Sequence, residues 1–161
     1  MATNQMGNYF EEFVVGQEIN HSLSKTIFES DNNLFCLLTM NHHPVHINAD
    51  YAGQQQHGQI LVVGTLVFSL VVGLTVQDIS GKAIANLNYE EVKHLAPVFI
   101  GDTIYARSRV LECRSSMTKL DRGIVYVETT GYNQNGIDVI SFRRHVLIKK
   151  RNKGYMNEME R

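Results

Sequence analysis

Tryptophan is absent from this 161-residue chain, and proline and cysteine occur only twice each. Two cysteines, Cys36 and Cys113, can build neither a disulfide framework nor a cysteine zinc site, and they fit a reducing cytoplasm. An excess of one charge is missing too: fifteen Lys and Arg stand against sixteen Asp and Glu, a net charge of −1. Such a balance gives no basic footprint for nucleic acid or for an anionic membrane surface. No basic stretch leads into an apolar core at the N-terminus, so the first twelve residues read as an arm, frayed over residues 1–7, and not as a signal peptide. Internal repeats and low-complexity stretches are absent. What is present is a 43% hydrophobic, 19% charged sequence of a length that suits one domain over residues 1–161. Folding at this length buries roughly two-thirds of the chain surface, enough for a core without staples.

One run lacks charge altogether, the seventeen residues Ile60 to Val76, at the lower edge of what spans a bilayer. It has no Lys or Arg anchors, and it contains Gly64, Thr65, Ser69, Gly73 and Thr75, so it reads as a buried helix wrapped by a sheet. Its valines are poor helix formers, and burial must override that. From Gly81 onward the sequence alternates and breaks like an antiparallel sheet, with strands expected at 84–93, 102–114, 123–132 and 138–149. Turn chemistry separates them, most clearly Asn135-Gly136. In the last strand Ile140, Phe142, Arg144, Val146 and Ile148 form the greasier side. The charged tail 150–161 is expected to be mobile or loosely packed. Upstream, Val15 to Glu29 reads as a leading strand, and Ser30 or Asp31 as the cap of a helix carrying Leu34, Phe35, Leu37 and Leu38. Pro44 forces that helix to end by His43. Asn48 caps a short helix through Gln55. The order is an α+β layout with a sheet on a helix, the outline of a hot-dog fold.

The densest chemistry is Asn41-His42-His43-Pro44-Val45-His46. Three histidines in five residues invite a metal reading, but no ligand pair at a usual spacing accompanies them and Pro44 breaks the helix on which i, i+4 ligands would share a face. The plain alternative is a loop whose imidazoles are merely polar surface groups. This run resembles that of the MaoC-like dehydratases, and the resemblance implies addition of water to an α,β-unsaturated thioester, which needs a base for water, a proton donor for C2 and stabilisation of the enolate oxygen. His46 can carry the protons, since imidazole titrates near neutrality. Gly64 can aim a backbone N–H from the positive end of the apolar helix at the thioester oxygen. Asn41 can hold water but cannot exchange a proton.

The run Asn41 to Ala52, with Gly58 and Val63-Gly64, resembles the MaoC-like dehydratases, which include the (R)-specific enoyl-CoA hydratases. His46, Pro44, Asp50, Tyr51, Ala52, Gly58 and Gly64 fill the places of the family pattern, and the likeness extends through Pro97-Val98-Phe99-Ile100-Gly101-Asp102-Thr103. Two departures stand out: Asn41 replaces the catalytic Asp of the hydratases, and His43 replaces their Asn. These departures are similar to a branch that includes the mesaconyl-CoA hydratases. The resemblance implies His46, Asn41 and Gly64 as catalytic residues and His43 and Val63 as substrate-binding ones. It also implies a CoA thioester as substrate, no metal or further cofactor, and a homodimer or higher homo-oligomer with the acyl chain at a subunit boundary. Acyl-CoA thioester hydrolysis on the same fold and non-catalytic acyl-CoA sensing are the competing functions. Arg143, Arg144, Lys93 and Lys119 could meet CoA phosphates but read better as a solvated face. His21, His57, His94 and His145 read as structural, and Asp50 and Tyr51 as stiffening the loop after His46.

Overall fold

The computed structural model describes residues 6–151. Alternation along β4 (Thr103–Ser115), β5 (Arg122–Asn133) and β6 (Asp138–Lys149) buries every second side chain on one face of an antiparallel sheet. β1 (Glu18–Asn20) and β2 (Lys25–Thr26) both pair with β4, and β3 (Ala83–His94) pairs with β6, giving the order β1-β4-β5-β6-β3. Against the buried face lies the apolar helix, with Val67, Val71 and Leu74 packed on Ile104, Ala106, Ile140 and Phe142. A second cluster, Phe13, Ile79, Val110, Val125, Val127, Val146 and Ile148, fills the other end. The result is the hot-dog arrangement expected from the layout.

Burial explains why so valine-rich a segment is helical. Each fully buried Val or Leu side chain contributes roughly 1.5–3 kcal/mol, against a propensity deficit of about 0.7 kcal/mol or less per residue. Close approach also needs Gly131 on β5, where a Cβ would lie 2.5 Å from Val71 Cγ2. Only glycine lets the helix sit that near the sheet.

Several boundaries differ from the sequence expectation. The helix spans Gly64–Leu74 and continues as a π-helical turn, Val76–Ser80. Residues 60–63 are extended instead, with Leu61 bridged to Phe99 and the Val62 N–H donating to Val98 O. The leading strand is two short pieces, because five steps from Asn20 to Lys25 oppose only three from Arg107 to Ile104. The excess bulges between them and turns His21 inward, to 7% exposure.

α1 spans Glu29–Thr39 and is preceded by Phe28, whose N–H donates to Asp31 at the third helical position. Asp31 therefore satisfies the cap from inside the helix, and neither it nor Ser30 is the cap residue. Asn32 and Cys36 face the core, while Leu34, Leu37 and Leu38 are exposed. α2 (Pro44–Ile47) and α3 (Ala49–Gly53) follow, the latter capped by Asn48 as expected; the apolar helix is α4. Phe13 is buried and the Arg151 guanidinium pairs with Glu12, so the described parts of arm and tail pack on the body. The fraying expected at residues 1–5 and the tail beyond 151 fall outside the described residues. No helix among the described residues is long and apolar enough to cross a membrane.

Candidate active site

Pro44 occupies the first position of α2, where its missing N–H costs nothing, and the His43 ring caps that helix by accepting the Val45 N–H at 3.2 Å. One turn later comes His46. Its Nδ1 lies 2.6 Å from the Leu61 carbonyl. A carbonyl only accepts, so Nδ1 carries a hydrogen, and in the neutral imidazole Nε2 then keeps its lone pair. The His46 backbone is fixed by Asn32, whose buried amide donates to His46 O at 2.9 Å and accepts the Val63 N–H at 3.0 Å. One side chain of α1 thus ties the histidine turn to the residue that precedes α4.

Gly64 opens α4. The Leu66 and Val67 N–H groups bond back to Val63 O, whereas those of Gly64 and Thr65 reach no acceptor among the described residues. Such free donors at a positive helix end favour an anion or a developing negative charge. His46 and Gly64 line one cavity of about 420 Å³ with His57 and His94, and the other walls are apolar, among them Val62, Val67, Leu95 and Val98. Among the described residues no Asp, Glu, Lys or Arg lines it. His94 stands against Gly64: a Cβ there would meet the imidazole Cε1 at 2.7 Å and Nε2 at 2.9 Å.

Of the expected residues, His46 and Gly64 come together, and Asn41, His43 and Val63 lie outside the lining of this cavity. Asn41 follows Met40, which is left-handed at φ 60°, and its side-chain oxygen reaches only the His43 N–H at 3.5 Å, too long for a strong bond. His43 is exposed and caps α2, and Val63 is buried and serves through its backbone. Asn32 escaped the sequence reading, and His94, read there as structural, lines the cavity. Asn32 could have been noticed as a polar residue one turn from Cys36; His94 carries no local signal, since the strap at 98–99 that aligns it with α4 is a long-range pairing. Arg144 is not a solvated group for CoA phosphates. It is fully buried, with its guanidinium donating to Thr75 Oγ1 at the C-terminal end of α4 and to Asn86 Oδ1. The helix dipole offsets part of the cost of burying that charge. Arg143 is paired with Glu128 and Glu91, and Lys93 with Glu91. Among the described residues no three of His, Cys, Asp or Glu gather as a metal site.

A second constellation bears on thioester hydrolysis. His21 bridges Asp78, at 2.6 Å, and Ser108 Oγ, at 2.8 Å, the connectivity of a nucleophile triad. Ser108 is only 4% exposed and its hydroxyl also bonds Thr129 Oγ1 beneath the sheet. That burial and the second hydrogen bond argue against Ser108 as a nucleophile. Burial pushes the His21 pKa below the ordinary value of 6.5, against the opposing pull of Asp78.

A family model described as mesaconyl-CoA hydratase matches residues 1–157. A mesaconyl-CoA hydratase of Cereibacter sphaeroides is 36% identical over 151 residues, 94% of this chain and 43% of that protein. An (R)-specific enoyl-CoA hydratase of Rhodospirillum rubrum is 36% identical over 99 residues, 62% of this chain and 67% of the relative. A Mycobacterium tuberculosis structure described as a double hot-dog fold superposes with a TM-score of 0.83 at 20% identity, covering 91% of this chain and 46% of that one. The chain spans less than half the length of the mesaconyl-CoA hydratase relative.

Proposed function

Because the chain belongs to the mesaconyl-CoA hydratase family, we propose that it adds water reversibly to a 2-enoyl-CoA thioester to give a 3-hydroxyacyl-CoA. One observation carries this reading: His46, with Nδ1 tied to Leu61 and Nε2 free to accept, shares a cavity with the unpartnered N–H of Gly64. His46 Nε2 takes a proton from water as the oxygen bonds to C3. The π electrons move through C2 to the thioester oxygen, where the Gly64 N–H receives the charge. The enolate then takes the proton back from the imidazolium at C2, so H and OH are added and His46 is restored. No cofactor takes part; the CoA thioester is the substrate. The apolar walls favour an apolar acyl chain, and among the described residues no cation lines the cavity to meet an acyl carboxylate.

Two features support a homo-oligomer. β3 is paired on one side only and exposes Ile84, Leu87, Tyr89 and Val92, and α1 exposes Leu34, Leu37 and Leu38. An edge this long and apolar is a pairing surface. Free Cys36 and Cys113 support a cytoplasmic setting.

Incubation with crotonyl-CoA, longer-chain enoyl-CoAs and mesaconyl-CoA tests the reading. Loss of the conjugated-thioester absorbance without release of free CoA is the expected result. Thiol release would mark a thioesterase, and binding without either change a sensor; both would overturn the hydratase reading.

A further inference from the structure

Gly64 supplies one N–H to the thioester oxygen in the reaction proposed above; the Thr65 N–H is unpartnered as well, but Thr65 does not line the cavity. We infer that His94 is a second hydrogen-bond donor to that oxygen, completing with Gly64 a two-donor oxyanion site at the head of α4. The inference rests on the hydratase reading and adds a catalytic residue to it.

Three observations bear on this. His94 is the last residue of β3, and its ring lies where a Gly64 side chain would be, so the missing Cβ is what admits the imidazole. The ring also lines the same cavity as His46. Neither nitrogen of this exposed side chain bonds any described residue, whereas His46 spends Nδ1 on Leu61; His57 is equally unbonded, so what singles out His94 is its place against Gly64. A neutral imidazole carries one N–H and an imidazolium two, so His94 presents a donor in either state. This is a different task from that of His46, whose free nitrogen accepts. The remaining ionisable group in the lining, His57, packs edge-on against Phe99 with ring centroids 5.7 Å apart.

An oxyanion donor acts in the transition state more than in the bound substrate. His94→Phe keeps the ring shape and removes the donor, and His94→Gln keeps an N–H without a titrating group. With crotonyl-CoA, His94→Phe is expected to lower kcat by about 10²- to 10³-fold with KM changed by no more than about threefold. His94→Gln should stay within about tenfold of wild type, as a side-chain amide can fill an oxyanion hole. A spectroscopic reading runs in parallel: the infrared thioester C=O band of bound crotonyl-CoA shifts to lower frequency in the wild type and in His46→Ala, and the shift shrinks in His94→Phe.

An unshrunken band in a folded His94→Phe would overturn the assignment, as would a kcat above about a third of wild type, far short of an oxyanion-donor loss. If the Gln variant fell as far as the Phe variant, His94 would be transferring a proton and the donor role would be lost. If the wild type binds crotonyl-CoA but turns over none of the enoyl-CoAs, the hydratase reading fails alone and the band decides the fate of His94. If it binds no CoA ester, both fail together.

Discussion

Asn32 holds His46 and Val63 with the two ends of one buried amide, donating to the carbonyl of the first and accepting the N–H of the second. The base of the proposed reaction and the head of the helix that receives the charge are thereby fixed relative to each other. At 2% exposure the amide has no water to fall back on.

Asn32→Leu should therefore cost both stability and activity. Each buried group left unpaired costs about 1–3 kcal/mol, and the variant strands His46 O and the Val63 N–H. A clear fall in Tm is expected, together with a kcat loss that exceeds any change in KM, because small misplacements of catalytic groups are felt in the transition state. Calorimetry and steady-state kinetics on the same preparation check this.

His46→Ala should lower turnover by about two to four orders of magnitude, the usual worth of a general acid–base residue, with circular dichroism unchanged. Asn41→Ala, outside the cavity lining, should cost less than tenfold, within the range a rim contact allows. A larger loss at Asn41 than at His46 would remove His46 as the main proton carrier and make the positioning of water by the Asn41 amide the larger contribution.

Part of this candidate site was legible in the chain, with His46 and Gly64 lining the cavity and Asn41, His43 and Val63 outside it. Asn-His-His-Pro-Val-His announced a turn broken by proline, and Gly64 inside an apolar run needed an explanation; the structure puts His46 and Gly64 on one cavity. The strands from 83 to 149 were readable because alternation and turns are local signals. The start of α4 was not, since an uncharged buried run looks the same whether extended or helical, and only pairing with 98–99 separates the two. The outward leucines of α1 show the same limit: apolar spacing marks a face, and here the face turned to the core carries Asn32 and Cys36. His94 depended on register across β3 and β6, which no single segment reveals, whereas the burial of Arg144 was readable from its alternation with Ile140, Phe142, Val146 and Ile148.

The buried His21 makes stability depend on pH with a definite sign. Its folded pKa lies below 6.5 because burial disfavours the imidazolium. As pH falls below 6.5 the unfolded chain takes up a proton that the folded one refuses, so stability is lost progressively down to the folded pKa. Above 6.5 the contribution vanishes from the slope. His21→Gln should flatten the fall of Tm between neutral and mildly acidic pH, even if it lowers Tm at pH 7. An unchanged slope would mean that His21 is accommodated in its charged form beside Asp78.

Gly64→Ala joins the site to the packing. The new Cβ would stand 2.7 Å from His94 Cε1, closer than real contacts allow, so something must move. The nearest atoms belong to an exposed side chain and not to backbone, and the imidazole can swing away at little cost to the fold. Gly64 is the first residue of α4, where alanine gains less than the roughly 1 kcal/mol of a helix interior, so Tm should change little. Activity should fall all the same, because the ring leaves the helix head. In a double-mutant cycle, Gly64→Ala and His94→Phe should then be strongly non-additive, the pair costing scarcely more than either alone, as for residues that act as a unit. Additive losses would show that Gly64 acts through its own N–H independently of where His94 stands.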